Sequence, residues 1–243
     1  MLTKLKELLT VNSFKGIQKK RIGSIADGGY LIIINYLNNE TYDCYIGCGI
    51  GNNSDFENDV YVRYDNIPIY CFDGNIDRFP YNKIHNLQFF RKNISSIESS
   101  STSNMIDLLG SYNNIFMKMD IEGSEWEYFY NLHENYFNNI NLLVLELHWD
   151  PNNMELCINT LEKIRKYFYI FHIHGCSCAP LIYIENFLFP CIMELTLINK
   201  SKVSHKEIIL NESSLPCELD FSNSIDGNQY DLNYEPFVFG GGK

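Results

Sequence analysis

The 243-residue chain carries 19 Lys+Arg against 30 Asp+Glu, a formal net charge of −11 with a pI near 5.0. That length suits one α/β domain burying about three-quarters of its unfolded surface, and the acid surplus repels phosphate backbones, which disfavours nucleic acid as a partner. The eight cysteines, with no apolar leader after Met1-Leu2-Thr3-Lys4 and no apolar run of the ~18 residues that span a membrane, point to reduced thiols in a cytoplasmic compartment.

Leu2 to Leu9 is expected as a short amphipathic helix, and Tyr30 to Leu37 as a second helix or a strand. Lys4, Lys6, Lys15, Lys19, Lys20 and Arg21 form a basic cluster that reads more readily as a solvated face than as a binding patch. Strands are expected at 43–47, 67–73 and 87–91, and a helix at 104–109 closed by Gly110. The near-continuous apolar runs 115–119 and 142–147 suit central parallel strands covered on both faces. A helix from Ser124 lies between them, and another runs from Met154 to Tyr167 with Leu161, Ile164 and Phe168 at helical spacing. Segments 169–174 and 191–198 close the sheet. Ser54-Asp55-Phe56-Glu57 and Ser124-Glu125-Trp126-Glu127 each match a capping box. The layout is thus a single domain over 1–243: a helical leader (1–40), a cofactor-binding core (41–200) and a polar tail packed on it (201–243).

Chemistry-bearing residues collect at the expected strand ends. Tyr45-Ile46-Gly47-Cys48-Gly49-Ile50-Gly51 runs from a strand into a glycine-spaced turn, and Asp73 ends the next strand about 20 residues on. Glycine lets backbone approach a ligand, and the acid accepts hydrogen bonds from ribose hydroxyls, so the pair reads as a nucleotide-type cofactor site. Asp120 with Glu122, Glu146 with His148, and His172 with His174 end three further strands. Asp120 and Glu122 could instead cap the helix at Ser124. His148 is either a hydrogen-bonded strand-end histidine or a base whose near-neutral pKa suits taking a hydroxyl proton. His174 is its reserve. Trp126 reads as core packing more than substrate stacking. Metal dependence stays open, because Asp120, Glu146 and His148 could jointly ligate Mg²⁺. The pairs Cys44…Cys48 and Cys176-x-Cys178 lack zinc-site spacing.

These motifs resemble the FkbM-type S-adenosylmethionine-dependent methyltransferases. The stretch Met117-Lys118-Met119-Asp120-Ile121-Glu122-Gly123-Ser124-Glu125-Trp126-Glu127 is similar to that family's "K-x-D-x-E-G-x-E" block, its most specific motif. Val144–His148, Phe171–Gly175, Arg21-Ile22-Gly23 and Asp27-Gly28-Gly29-Tyr30 are further similarities, over about residues 20–200. The resemblance implies a seven-stranded, Rossmann-like, mostly parallel sheet with an antiparallel last strand and helices on both faces. It implies S-adenosylmethionine held by Asp27, Gly47, Gly49, Gly51, Asp73, Gly74, Asp120 and Glu122, with His148, His174 or Asp120 in catalysis. The acceptor it implies is a hydroxyl of a sugar, glycan or small metabolite, with a nitrogen, protein or nucleic-acid acceptor, or a non-catalytic binding domain, as alternatives. Cys176-Ser177-Cys178 departs from the family pattern, which has asparagines after the glycine; if those asparagines touch the substrate, the acceptor here differs.

Overall fold

Alternate residues of the two apolar runs face two different hydrophobic layers, which is why the runs are nearly continuous. Ile115, Met117 and Met119 join one layer with Leu143, Leu145 and Leu147, while Phe116, Leu142 and Val144 join the other. The computed structural model describes residues 1–34, 41–64, 66–80, 84–204, 206–223 and 227–240. In chain order the elements are α1 (Leu2–Leu8), β1 (Asn12–Phe14), β2 (Gln18–Gly23), β3 (Gly29–Ile34), β4 (Cys44–Cys48), α2 (Asp55–Arg63), β5 (Ile69–Phe72), β6 (Leu87–Phe90), β7 (Asn93–Ile94) and β8 (Thr102–Ser103). There follow α3 (Ile106–Ser111), β9 (Ile115–Met119), α4 (Glu125–Asn131), β10 (Ile140–His148), α5 (Met154–Tyr167), β11 (Phe168–Gly175), β12 (Leu181–Ile184), β13 (Phe187–Pro190), β14 (Ile192–Asn199) and β15 (Ile208–Leu210).

Seven strands form the central sheet in the order β11-β14-β10-β9-β4-β5-β6. From β10 to β6 all neighbours are parallel, and β14 runs antiparallel between β10 and β11. This is the mostly parallel, Rossmann-like sheet with an antiparallel last strand that was expected. Residues of α1, α3, α4 and α5 pack in one layer. The other layer holds α2 and the β2–β3 hairpin. Because side chains alternate along a strand, Lys118 and Glu146 share the face of Phe116 and Val144. The polar ends of β9 and β10 therefore lie under α2 and the hairpin.

Several local expectations are corrected. The leader is helical only over Leu2–Leu8; of the two readings from Tyr30, helix or strand, the strand is found, with Tyr30, Ile32 and Ile33 buried in β3, and positions 35–37 lie outside the described residues. Gly110 sits inside α3 and does not close it. Neither Ser54 nor Ser124 makes a side-chain cap. Asn53 Oδ1 accepts from the Asp55 N–H at 3.0 Å, and Glu125 Oε1 from the Ile121 N–H at 2.6 Å. Cys176 and Cys178 form a disulfide in the turn after β11, contrary to the expectation of reduced thiols throughout; the two Cα atoms, 5.4 Å apart, are within bridging reach. The basic cluster is dispersed: Lys4 pairs with Glu162, Lys15 with Glu207, and Lys19 is drawn inward.

Buried imidazoles of β11 tie the tail to the sheet, His172 among them. His172 Nε2 lies 2.8 Å from Asp220 Oδ1 and Nδ1 lies 3.2 Å from Lys19 Nζ. An ammonium only donates, so Nδ1 accepts and the ring proton sits on Nε2, donated to Asp220. Burial first, then the charges of Lys19 and His174, pull His172 down to about 4 against the opposing pull of Asp220. A native pKa below the unfolded value of about 6.5 means stability is intact above pH ~6.5 and lost as pH falls through the folded value. His174, raised by Glu194, has the opposite sign and gains stability on acidification. Hence His172→Gln should flatten the acid side of the curve: its thermal midpoint, measured from pH 7 to 4, falls less than the wild-type midpoint. An equal fall in both proteins would dismiss His172 as the acid-labile pin.

Candidate active site

The chain leaves β4 for β5 and β6 on one side, then returns to β9 and β10 on the other. Ligands in open α/β sheets bind in the crevice outside the strand carboxyl ends at such a reversal. Two backbone bonds close its floor: Asp120 N–H donates to Cys48 O at 3.1 Å, and Gly49 N–H to Phe72 O at 2.9 Å. Gly49 has φ +73, and a Cβ there would stand 1.6 Å from Asp120 O, so only glycine allows this approach.

A cavity of about 670 Å³ opens above it, within the range of small-molecule sites. Gly49, Gly51, Asp73, Asp27, Asp120 and Glu122 line it, as expected of a cofactor site. Asp73 also braces the glycine turn, accepting from the N–H groups of Ile50 (3.1 Å) and Gly51 (2.8 Å) on Oδ2 and from Asn75 (2.7 Å) on Oδ1. Gly47 and Gly74 do not line the cavity. A Cβ on Gly47 would meet the Tyr45 ring at 2.9 Å and Glu57 Oε1 at 3.2 Å, so that glycine serves packing. A Cβ on Gly74 would meet Asn93 Oδ1 at 2.3 Å, so that glycine brings Asn93 to the wall.

Behind the cavity lies a buried ionic group. Lys118 Nζ donates to Gly49 O at 2.8 Å and stands 3.5 Å from Asp120 Oδ2. Burial would lower its pKa, but Asp120, Glu57 and Glu146 outweigh that and raise it. Tyr30 OH donates to Glu146 Oε2 at 2.7 Å. Burial, reinforced by Asp120 and Glu194, pushes Glu146 up to about 8. His148 Nε2 is 3.4 Å from Glu122 Oε2 and 3.8 Å from Glu146 Oε1, and Nδ1 is 3.4 Å from Glu125 Oε1. Burial alone would lower this imidazole; Glu125, Glu146 and Asp120 together lift it to about 9. The near-neutral pKa expected of His148 is thus corrected upward. His174 is corrected as a reserve base. It is 2% exposed, with Nδ1 3.0 Å from Glu194 Oε2 and Nε2 3.2 Å from Gln229 Oε1, and it does not line the cavity. Trp126 is buried as expected and donates from Nε1 to the His148 carbonyl at 2.5 Å, which holds the end of β10 in place.

Sequence reasoning missed Tyr30, Lys118, Asn53, Ile76, Asn93 and Ile94 as parts of the site. Asn93 and Ile94 line the cavity because β7 follows β6 directly. Lys118 had a signal: a lysine in a central strand must face a buried partner.

No protein-family model matches the chain, and no curated protein matches it. Among solved structures, a fibrillarin pre-rRNA processing protein of Methanococcus jannaschii is 13% identical with a TM-score of 0.38, covering 78% of this chain and 88% of that one. That overlap is too loose to transfer an activity.

Proposed function

We propose that the chain is an S-adenosylmethionine-dependent methyltransferase acting on a hydroxyl of a sugar or other small metabolite. The observation that carries this is the charge of the cavity: Asp27, Glu57, Asp73, Asp120 and Glu122 against Lys92 and Lys118. Such a wall favours a net-cationic sulfonium ligand and opposes a pyrophosphate. The helix after the glycine turn agrees, because Asp55 and Glu57 occupy the first turn of α2, where a phosphate would need positive potential. The resemblance to the FkbM-type block adds support, since Lys118, Asp120 and Glu122 of that block line the cavity.

In this reading Asp73 would hold the ribose diol, Gly49–Gly51 and Asp27 the methionine end, and Ile76, Asn93 and Ile94 the base. Once bound, the sulfonium supplies an electrophilic methyl group. The protein's own task is to align an acceptor oxygen and handle one proton. Lys118 and Asp120 of the buried ionic group both line the cavity, and of the two only the Asp120 carboxylate can accept a proton, so it would meet the hydroxyl; Glu146 and His148 stand behind it.

Calorimetry with S-adenosylmethionine and with NAD tests the cofactor, and transfer from labelled S-adenosylmethionine to a panel of sugars, amines and RNA tests the acceptor. Binding of S-adenosylmethionine alone, with label on a sugar hydroxyl, is the expected result. Binding of NAD instead would overturn the cofactor assignment, and label on amines or RNA would overturn the acceptor.

A further inference from the structure

We propose that Asp120, Glu146 and His148 bind a divalent first-row cation, of the Mn²⁺ kind, that holds the acceptor hydroxyl beside the cofactor cavity. The inference deepens the methyltransferase reading and rests on it for the cation's role, though not for its binding. One donor atom from each of the three residues lies within 4.8 Å of the others. Donors ~2.2 Å from one ion stand ~3–4.4 Å apart, so small rotations close the set. Glu122 Oε2, 3.4 Å from His148 Nε2, is a fourth donor on the exposed side. The chain's own cation reaches only part of the cluster: Lys118 Nζ donates to Gly49 O at 2.8 Å and to Asp120 Oδ2 at 3.5 Å, and among the described residues no ion pair joins it to Glu146.

A second observation points to a ligand on Nε2. Two buried polar atoms beside the cluster lack a hydrogen-bond partner, His148 Nδ1 and Glu125 Oε2, and the Glu125 side chain is fully buried. Glu125 faces Nδ1 with its other oxygen at 3.4 Å, while Nε2 faces the carboxylates of Glu122 and Glu146. A metal-bound histidine donates its other ring N–H to a carboxylate, which orients the ring. A cation on Nε2 places the remaining proton on Nδ1, where Glu125 receives it. Three or four protein donors leave open positions for an acceptor oxygen. Mixed imidazole and carboxylate donors suit Mn²⁺ better than the Mg²⁺ considered from sequence, which prefers oxygen alone. A hydroxyl bound there loses its proton more readily, as metal-bound water does.

The test is Mn²⁺ titration of EDTA-treated protein, followed by loss of the free-ion electron paramagnetic resonance signal. Wild type should bind one Mn²⁺ per chain, and Glu146→Gln and His148→Ala should each weaken binding by at least ~10–100-fold, the loss typical even of outer-sphere changes. Equal thermal midpoints would show that the variants fold; should His148→Ala unfold, His148→Gln and Asp120→Asn take its place. No binding up to ~1 mM, the weak end of divalent sites, or undiminished binding by the variants, would overturn the proposal. Calorimetry with S-adenosylmethionine on the same metal-free wild type separates the two readings. Cofactor binding without Mn²⁺ binding refutes the cation site alone. Mn²⁺ binding that depends on Glu146 and His148, without cofactor binding, supports the cation site while the methyltransferase reading falls.

Discussion

Asp120→Asn is expected to lower methyl-transfer turnover by about 10²–10⁴-fold while S-adenosylmethionine affinity stays within roughly tenfold. Asp120 directly follows β9 at the reversal of the sheet, lines the cavity and stands 3.5 Å from Lys118 Nζ. The amide keeps its size and its place over Gly49 but removes the charge that would receive a proton or ligate a cation. Single-turnover kinetics with labelled cofactor, alongside calorimetry, gives both numbers. His174→Ala is the contrasting variant. Its ring nitrogens are committed to Glu194 and Gln229, so the change should act on packing of the tail and leave turnover within about tenfold. Full turnover by Asp120→Asn, or a collapse with His174→Ala in a folded protein, would reverse the two assignments.

Asp73→Ala should weaken S-adenosylmethionine binding by ~1.5–3 kcal/mol, about 10- to 150-fold, the cost of losing hydrogen bonds to a charged acceptor. The residue does two things at once. It offers its carboxylate to the cavity, and it holds the glycine turn through the N–H groups of Ile50, Gly51 and Asn75. Asp73→Asn is the milder change: its amide oxygen can still accept from Ile50 and Gly51, while the charge is lost and the amide nitrogen faces the Asn75 N–H. Calorimetry should rank wild type above Asp73→Asn above Asp73→Ala. Unchanged affinity in the alanine variant would remove Asp73 from the cofactor site.

How much was legible in the sequence depends on the range of the interaction concerned. Strand ends marked by glycines and acids were readable because a βα turn is local: Gly49, Gly51 and Asp73 fall within 25 residues and keep their roles wherever the sheet is built. The 3.6-residue and continuous apolar patterns likewise placed α5, β9 and β10 closely, since periodicity records burial. The capping boxes failed although they too are local: the first box's buried Glu57 took the Tyr45 hydroxyl, and at the second helix Glu125, two residues before the box glutamate Glu127, took the Ile121 N–H.

Tertiary structure alone decided which strand-end groups meet. Register sets Glu146 opposite Glu194 and His174 opposite Glu194, which seals His174 inside a pair. The β2–β3 hairpin, unreadable as strand or helix from Tyr30 to Leu37, carries the Tyr30 hydroxyl over Glu146 from 116 residues away. The charge states followed the same route. A sequence supplies the ordinary pKa of a histidine or a glutamate, but the shifts at His148 and Glu146 come from burial and from carboxylates on α4, β9 and β14. Desolvation and Coulomb terms depend on distances between residues far apart in the chain, and only the folded chain sets those distances.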